Sequence, residues 1–290
     1  MCLFCFVNCE ELIVDKVNYS VLMSVYAKEK PEYLRQSMNS MFDQTVPTND
    51  FVLICDGPIS NELEEVITEF KNVHEDILNV VKLEKNMGLG NALRIGIEKC
   101  KNNLIARMDS DDISKKDRCE KQIDVFMKNQ SLSIIGTNIE EFSINPDIVD
   151  SMRVVPKTND EIIKFSKKRN PFNHPSVMYK KQDVIDSGNY RDVRYMQDYF
   201  LWVDMLSNGK KGYNIQEPLV SMRASNDLFK RRSGKEYFKI QKELFKLMLK
   251  KGYISKMQYY SSITLRTISA FAPNWLRKSL FKKILRKKSE

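Results

Sequence analysis

The chain has 290 residues, 42% apolar and 29% charged, the balance of a protein that buries a core in one large α/β domain or two small ones. Only 10 Gly and 9 Pro are present, which excludes collagen-like, linker-rich and low-complexity classes. The net charge of +9 hides an asymmetry, because residues 230–290 hold eighteen Lys and Arg against Glu236, Glu243 and Glu290, leaving residues 1–229 net acidic. A basic groove spread over the main domain, as in a polymerase or helicase, is therefore disfavoured.

Residues 1–17 read as an N-terminal extension. Met1 to Val7 is apolar but lacks a basic flank, and Asn8-Cys-Glu-Glu11 follows in place of a cleavage site. No signal peptide, and hence a cytoplasmic chain, is the expectation. Cys2, Cys5 and Cys9 have the spacing of a metal cluster, but no His or second C-x-x-C accompanies them, so reduced thiols are expected. Cys55, Cys100 and Cys119 fall in regular segments and are expected to be buried.

From Ser20 onward short apolar runs alternate with amphipathic stretches. Strands are predicted at Ser20–Tyr26, Phe51–Cys55, Leu78–Leu83, Leu104–Met108 and Leu132–Gly136. Helices are predicted from Pro31, through Leu63–Phe70, over Leu89–Cys100 and over Ser114–Lys128. Continuous apolar strands between helices imply a parallel sheet covered on both faces. Beyond Thr137 the pattern changes to a hairpin within Glu140–Val155 turning at Asn145-Pro146, a strand at Ser176–Tyr179 and a helix over Met196–Leu206. After Arg223 the chain is helical and basic with no strand signal. No stretch of 18 residues lacks a charge, which argues against a membrane-spanning helix.

Ligands of an open parallel sheet bind at the carboxyl ends of its strands. Three polar segments fall there: Tyr26-Ala-Lys-Glu29, Asp56-Gly57 and Asp109-Ser-Asp-Asp112. Three carboxylates within four residues repel one another and require a counter-cation. Oxygen ligands suit Mg²⁺ or Mn²⁺, which would neutralise a diphosphate as it leaves. The competing reading makes Asp112 a cap for a helix beginning at Ser114.

Further motifs occur in order: Val21-Leu-Met-Ser-Val-Tyr26, Gln44-Thr45, Asp56-Gly57, Asn86-x-Gly88-Leu89 and Ile105-Ala-Arg-Met-Asp-Ser-Asp-Asp112. Asp117-Arg118 with Gln122, Ile135-Gly-Thr137, Asn170-Pro-Phe-Asn-His-Pro-Ser-Val177 and Gln197-Asp-Tyr199 with Trp202 follow. Over roughly residues 18–225 this set resembles the family 2 glycosyltransferases, inverting nucleotide-sugar enzymes. The resemblance implies a GT-A fold, a Rossmann-like nucleotide-binding sheet with helices on both faces. Residues 18–137 would form the nucleotide-sugar half and 138–225 the acceptor half, with 226–290 a basic helical extension.

The resemblance also implies roles. Asp56 would meet the nucleotide base, with Tyr26 and Glu29 lining the same pocket. Asp109 would face the ribose or sugar, with Asn86, Gly88, Arg107 and Ser110 also on the donor side. Asp111 would hold Mn²⁺ or Mg²⁺, and Asp198 would be the general base. Arg94, where related sequences often have Asn, is placed near the diphosphate, against its reading as a surface residue. His174 is assigned to the metal, the diphosphate or the acceptor loop. Gln197, in place of the usual Glu, and Trp202 are placed at the acceptor, core packing being the other reading of Trp202. Cys55-Asp-Gly-Pro58 departs from the family's Asp-Asp-Gly-Ser.

The implied reaction moves one sugar from a UDP-linked donor to a hydroxyl of a lipid-linked glycan, as in bacterial capsule or surface polysaccharide synthesis. The enzyme would then sit peripherally at the inner face of the membrane. The tail fits that place. Ile240, Leu244, Leu247 and Met248 form an apolar face with Lys239, Lys242, Lys246 and Lys250 outside it, and Trp275 to Leu285 interleaves with seven basic residues up to Lys288. This reads as a helix lying on an anionic membrane, a face packed on the domain being the alternative. No nucleic-acid partner is expected.

Two other classes compete. A sugar-phosphate nucleotidyltransferase would need a Gly-rich loop after the first strand, and Tyr26–Pro31 has no Gly. A non-catalytic membrane or nucleic-acid adaptor would leave the Asp cluster and Asp198 idle.

Overall fold

A computed structural model describes residues 17–224 and 234–271. The first half alternates as expected: β1 (Tyr19–Val25), α1 (Pro31–Phe42), β2 (Asp50–Cys55), α2 (Asn61–Val73), β3 (Leu78–Lys82), α3 (Leu89–Lys99) and β4 (Leu104–Asp109). These strands pair in parallel in the order β3-β2-β1-β4. Successive side chains of β1 serve opposite faces. Tyr19, Val21, Met23 and Val25 pack with Leu34, Met38 and Met41 of α1, while Leu22 packs with Ala92, Leu93 and Ile97 of α3. Gly96 lets α3 approach closely, since a Cβ there would lie 2.3 Å from Leu22 Cδ1. Cys55, Cys100 and Cys119 are buried free thiols, as expected. Cys2, Cys5 and Cys9 lie outside the described residues.

Beyond β4 the all-parallel expectation fails. There follow β5 (Ile113–Ser114), α4 (Arg118–Lys128), β6 (Leu132–Phe142), β7 (Ser151–Arg153), α5 (Asn159–Ser166), a 3₁₀ turn (His174–Ser176), β8 (Met178–Lys180), α6 (Lys181–Asp186), α7 (Gln197–Ser207) and β9 (Lys211–Arg223). β8 runs antiparallel to both β4 and β6, so the sheet is mixed. The predicted hairpin forms between β6 and β7, with an Asn145 side-chain turn that accepts from Asp147 N.

β9 has no counterpart in the sequence reading. Its Gln216-Glu-Pro218 is strand-averse, and a register shift there absorbs the proline. The short β5 pairs with β9 and delays α4 to Arg118, four residues after the predicted start. α5 and α6 also escaped the periodicity reading, being only 8 and 6 residues long.

The basic extension forms α8 (Lys235–Lys250) and α9 (Lys256–Phe271). The face of α8 expected to meet a membrane is turned inward: Ile240, Leu244 and Met248 pack with Tyr199, Phe200 and Val203 of α7. Lys239, Lys242, Lys246 and Lys250 are exposed. Burial on α7 removes this apolar surface from water and corrects the membrane reading for α8. The cluster from Trp275 to Lys288 lies outside the described residues. Among the described residues no helix is long and apolar enough to cross a membrane.

Because α8 shares a core with α7, Leu244→Ala should destabilise both together by about 3 kcal/mol. Denaturant unfolding should show one transition at a lower midpoint. A separate early transition confined to the extension would contradict this packing.

Candidate active site

The carboxyl ends of β1, β2 and β4 lie side by side, which brings the three polar segments to one edge. After β1, Tyr26 is exposed and its carbonyl accepts from Glu29 N at 3.0 Å. Glu29 Oε2 accepts from Ser110 Oγ at 2.5 Å, tying the β1 loop to the β4 loop. After β2, Gly57 has φ +87°, and a Cβ there would lie 2.5 Å from Asn86 N. Only glycine fits this close crossing. It lets buried Asp56 accept from Met87 N at 2.7 Å and Gly88 N at 3.0 Å, while Asn86 Nδ2 donates to the Asp56 carbonyl. Asp56 thereby shapes the Asn86–Gly88 turn that leads into α3.

At the end of β4, carboxylate oxygens of Asp109, Asp111 and Asp112 lie within 4.8 Å of one another. Arg107, whose side chain is only 1% exposed, grips Asp109 through both terminal nitrogens. Asp112 accepts from Arg223 N at 2.8 Å, and Arg223 Nε donates to the Asp111 carbonyl at 3.2 Å. The helix-cap reading of Asp112 is thus excluded: α4 begins at Arg118, and Asp112 serves β9 instead. The Arg223 guanidinium lies 3.7 Å from the centre of the Tyr33 ring.

Burial pushes the Asp111 carboxyl up to about 7, and the charges of Asp109 and Glu29 add to the shift. Burial, then Asp111 and Asp109, raise Asp112 as well. The Asp111 carboxylate makes no hydrogen bond to another described residue. A crowded all-oxygen donor set whose charge is internally opposed fits a hard divalent cation.

Across the edge, Asp198 lies in the first turn of α7 and accepts from Asn170 Nδ2 at 2.5 Å. Burial raises its pKa against the lowering effect of its hydrogen bonds and of Arg107. His174 Nε2 lies 2.8 Å from Tyr190 Oη, and burial, then Arg107, holds the imidazole well below its usual pKa, hence neutral. Asp109, Asp111 and Asp112 form a potential metal-ligand group among the described residues, and His174 lies outside that group. Gln197 sits against the start of α3, its Cβ 3.4 Å from where a Cβ on Gly90 would be.

One assignment changes. Trp202 has no exposed surface and packs against Phe172, His174 and Tyr179, so it is a core residue rather than an acceptor platform. Arg94 is exposed on α3, and its side chain makes no hydrogen bond or ion pair with the described residues. Conversely, Tyr190 and Arg223 join the site from segments without a recognisable motif. Asn170, which holds Asp198, stands inside the Asn170–Val177 motif that carried the resemblance.

The profile described as "Glycosyl transferase family 2" matches residues 20–199. The chain is 36% identical over 275 residues to the UDP-Gal:alpha-D-GlcNAc-diphosphoundecaprenol beta-1,3-galactosyltransferase of Escherichia coli, covering 94% of this chain and 98% of that one. It is 37% identical over 268 residues to the amylovoran biosynthesis glycosyltransferase AmsE of Erwinia amylovora, covering 91% and 98%. Among solved structures, S. aureus TarS 1–349 in complex with UDP-GlcNAc superposes with a TM-score of 0.66 at 14% identity, over 92% of this chain and 76% of that one. The mannosyltransferase PcManGT of Pyrobaculum calidifontis, in complex with GDP-Man and Mn²⁺, gives 0.60 at 10% identity, over 93% and 80%. The mixed, helix-covered sheet is the GT-A fold, and the chain belongs to glycosyltransferase family 2.

Proposed function

We propose that this protein transfers a single sugar, with inversion, from a UDP-sugar to a hydroxyl of a lipid-linked glycan during bacterial surface polysaccharide synthesis. The observation that carries the reading is the crowded Asp109–Asp112 cluster at the carboxyl end of β4, held by buried Arg107, whose charge also bears on Asp198. The names of the E. coli relative and of the UDP-GlcNAc-bound TarS structure support the donor and acceptor classes.

Asp198 acts as the base. An alcohol is a weak nucleophile, and a carboxylate within hydrogen-bond reach accepts its proton as the new bond to C1 forms. The bond from C1 to the diphosphate oxygen breaks on the opposite face, so the anomeric centre inverts. Asn170 orients the Asp198 carboxylate by its hydrogen bond. Arg107 and Asp109 form a fixed floor beneath the donor, and Glu29 with Ser110 closes the side toward the nucleotide. A divalent cation, Mn²⁺ or Mg²⁺, held chiefly by Asp111, supplies charge neutralisation for the diphosphate. Basic residues near the C-terminus, from Arg277 to Lys288, hold the enzyme peripherally at the inner face of an anionic membrane.

Asp198→Asn should keep UDP affinity by calorimetry but lower turnover by about 10²–10⁴-fold; near-normal turnover would remove it as the base. Asp111→Asn should abolish the Mn²⁺-dependent part of UDP binding, and equal affinity with and without chelator in the parent would exclude the metal. The folded Asp111 binds its proton more tightly than the unfolded chain does, because its pKa rises from 3.8 to about 7. Its contribution to stability is therefore complete below the unfolded value and lost as pH rises through about 7. In chelator, the melting temperature should fall over that window, and Asp111→Asn should flatten the fall.

A further inference from the structure

Two features meet on the C-terminal helices. Met257, Tyr260 and Leu265 of α9 are 79%, 66% and 67% exposed. With Ser261 and Thr264, also exposed, they share one side of the helix at three- and four-residue spacing, opposite buried Ser262 and the half-buried Tyr259, Ile263 and Arg266. Large apolar side chains standing together in water mark a contact surface.

Beside this stripe runs a groove of about 370 Å³ lined by Asp160, Ile163, Lys164, Lys167, Lys168 and Gln258. Gln258 borders the stripe on α9, and the other five come from α5 and the turn after it. Asp160 is the one acid against three lysines, and none of those lysines has an ion pair with a described residue. Lys167 Nζ rests 5.7 Å from the centre of the Tyr253 ring. An apolar stripe with a basic groove at its edge matches the interfacial layer of a bilayer, acyl chains against the first and headgroup phosphates against the second.

The same segment is tied to α7 and α9. Arg266 of α9 donates to the Lys168 carbonyl at 2.6 Å, and Tyr199 Oη donates to the Ser166 carbonyl at 2.5 Å. Tyr253 Oη and Ser166 Oγ are also 2.5 Å apart. Asn170, the partner of Asp198, lies two residues past Lys168, within about 7 Å along the chain. The groove lysines thus lie on the segment that leads into Asn170.

We propose that the α9 stripe of Met257, Tyr260 and Leu265, with the Lys164–Lys167–Lys168 groove, is a folded docking surface for an anionic phospholipid bilayer. This rests on the membrane-associated acceptor proposed above, and assigns the contact to folded helices in addition to the basic terminal residues.

The test uses the full chain and vesicles of phosphatidylcholine with or without phosphatidylglycerol. Combined Met257→Ser, Tyr260→Ser and Leu265→Ser should weaken co-sedimentation at least about tenfold. Lys164→Gln, Lys167→Gln and Lys168→Gln together should abolish the preference for phosphatidylglycerol. Both variants alter exposed or half-exposed groups, and unchanged melting temperature and UDP binding verify their folding. As an independent readout, Tyr260→Trp should gain fluorescence quenching by brominated acyl chains beyond that of the parent. A control replaces Lys282, Lys283, Lys287 and Lys288 with Gln. If the stripe and groove variants bind like the parent, Tyr260→Trp gains no quenching and the control variant fails to bind, the docking surface is refuted while membrane association stands. If the parent itself ignores every vesicle, membrane association fails and this surface with it.

Discussion

Three carboxylates stand within 4.8 Å of one another at the end of β4, and the buried guanidinium of Arg107 pairs with the first of them from beneath. Burial opposes the charge on Arg107, but Asp109, then Tyr190 and Asp112, offset it, so the group remains firmly cationic. Breaking such a pair would leave an uncompensated charge inside the protein, which is far more costly than losing a surface ion pair. The pair fixes Asp109 and leaves Asp111 as the carboxylate without a described partner. The charge of Arg107 adds to the burial that lowers the pKa of His174, and it opposes the burial that raises that of Asp198. Burial is the larger effect at both groups, and the one buried guanidinium bears on each.

The strand end that presents this cluster is itself held by buried polar side chains. Among the described residues Arg118 has no carboxylate partner. Its Nη2 donates to the carbonyls of Arg107 and Val177, and its Nε to Gln122, whose amide donates to the carbonyls of Ile135 and Ser176. Those carbonyls lie where β4, β6 and the 3₁₀ turn before β8 separate, and a buried unpaired carbonyl costs about 1–3 kcal/mol. Gln44 does the same for the loop between β5 and α4, taking Cys119 N and donating to the Lys115 carbonyl. Several motif residues are therefore scaffold rather than substrate contacts.

The C-terminal helices belong to the same economy of support. α8 covers α7, whose first turn carries Asp198, and Arg266 and Tyr253 hold the segment that ends in Asn170. The extension is a buttress for the helix that carries Asp198, and the α8 lysines remain outside while its apolar face packs on α7.

Strand and helix positions through β4 were legible because each is a continuous apolar run or a stripe at helical spacing, which depends on local order alone. The polar strand ends were legible for the same reason, and so was the acidic cluster, since its residues are adjacent in the chain. What tertiary structure decided were the pairings between distant segments. β9 became a strand because β6 offered it a ladder, despite Glu217 and Pro218. Trp202 went to the core and α8 onto α7 because an apolar face does not announce its partner. Arg223 reached the acidic loop across 111 residues of sequence to Asp112, a contact no local pattern encodes.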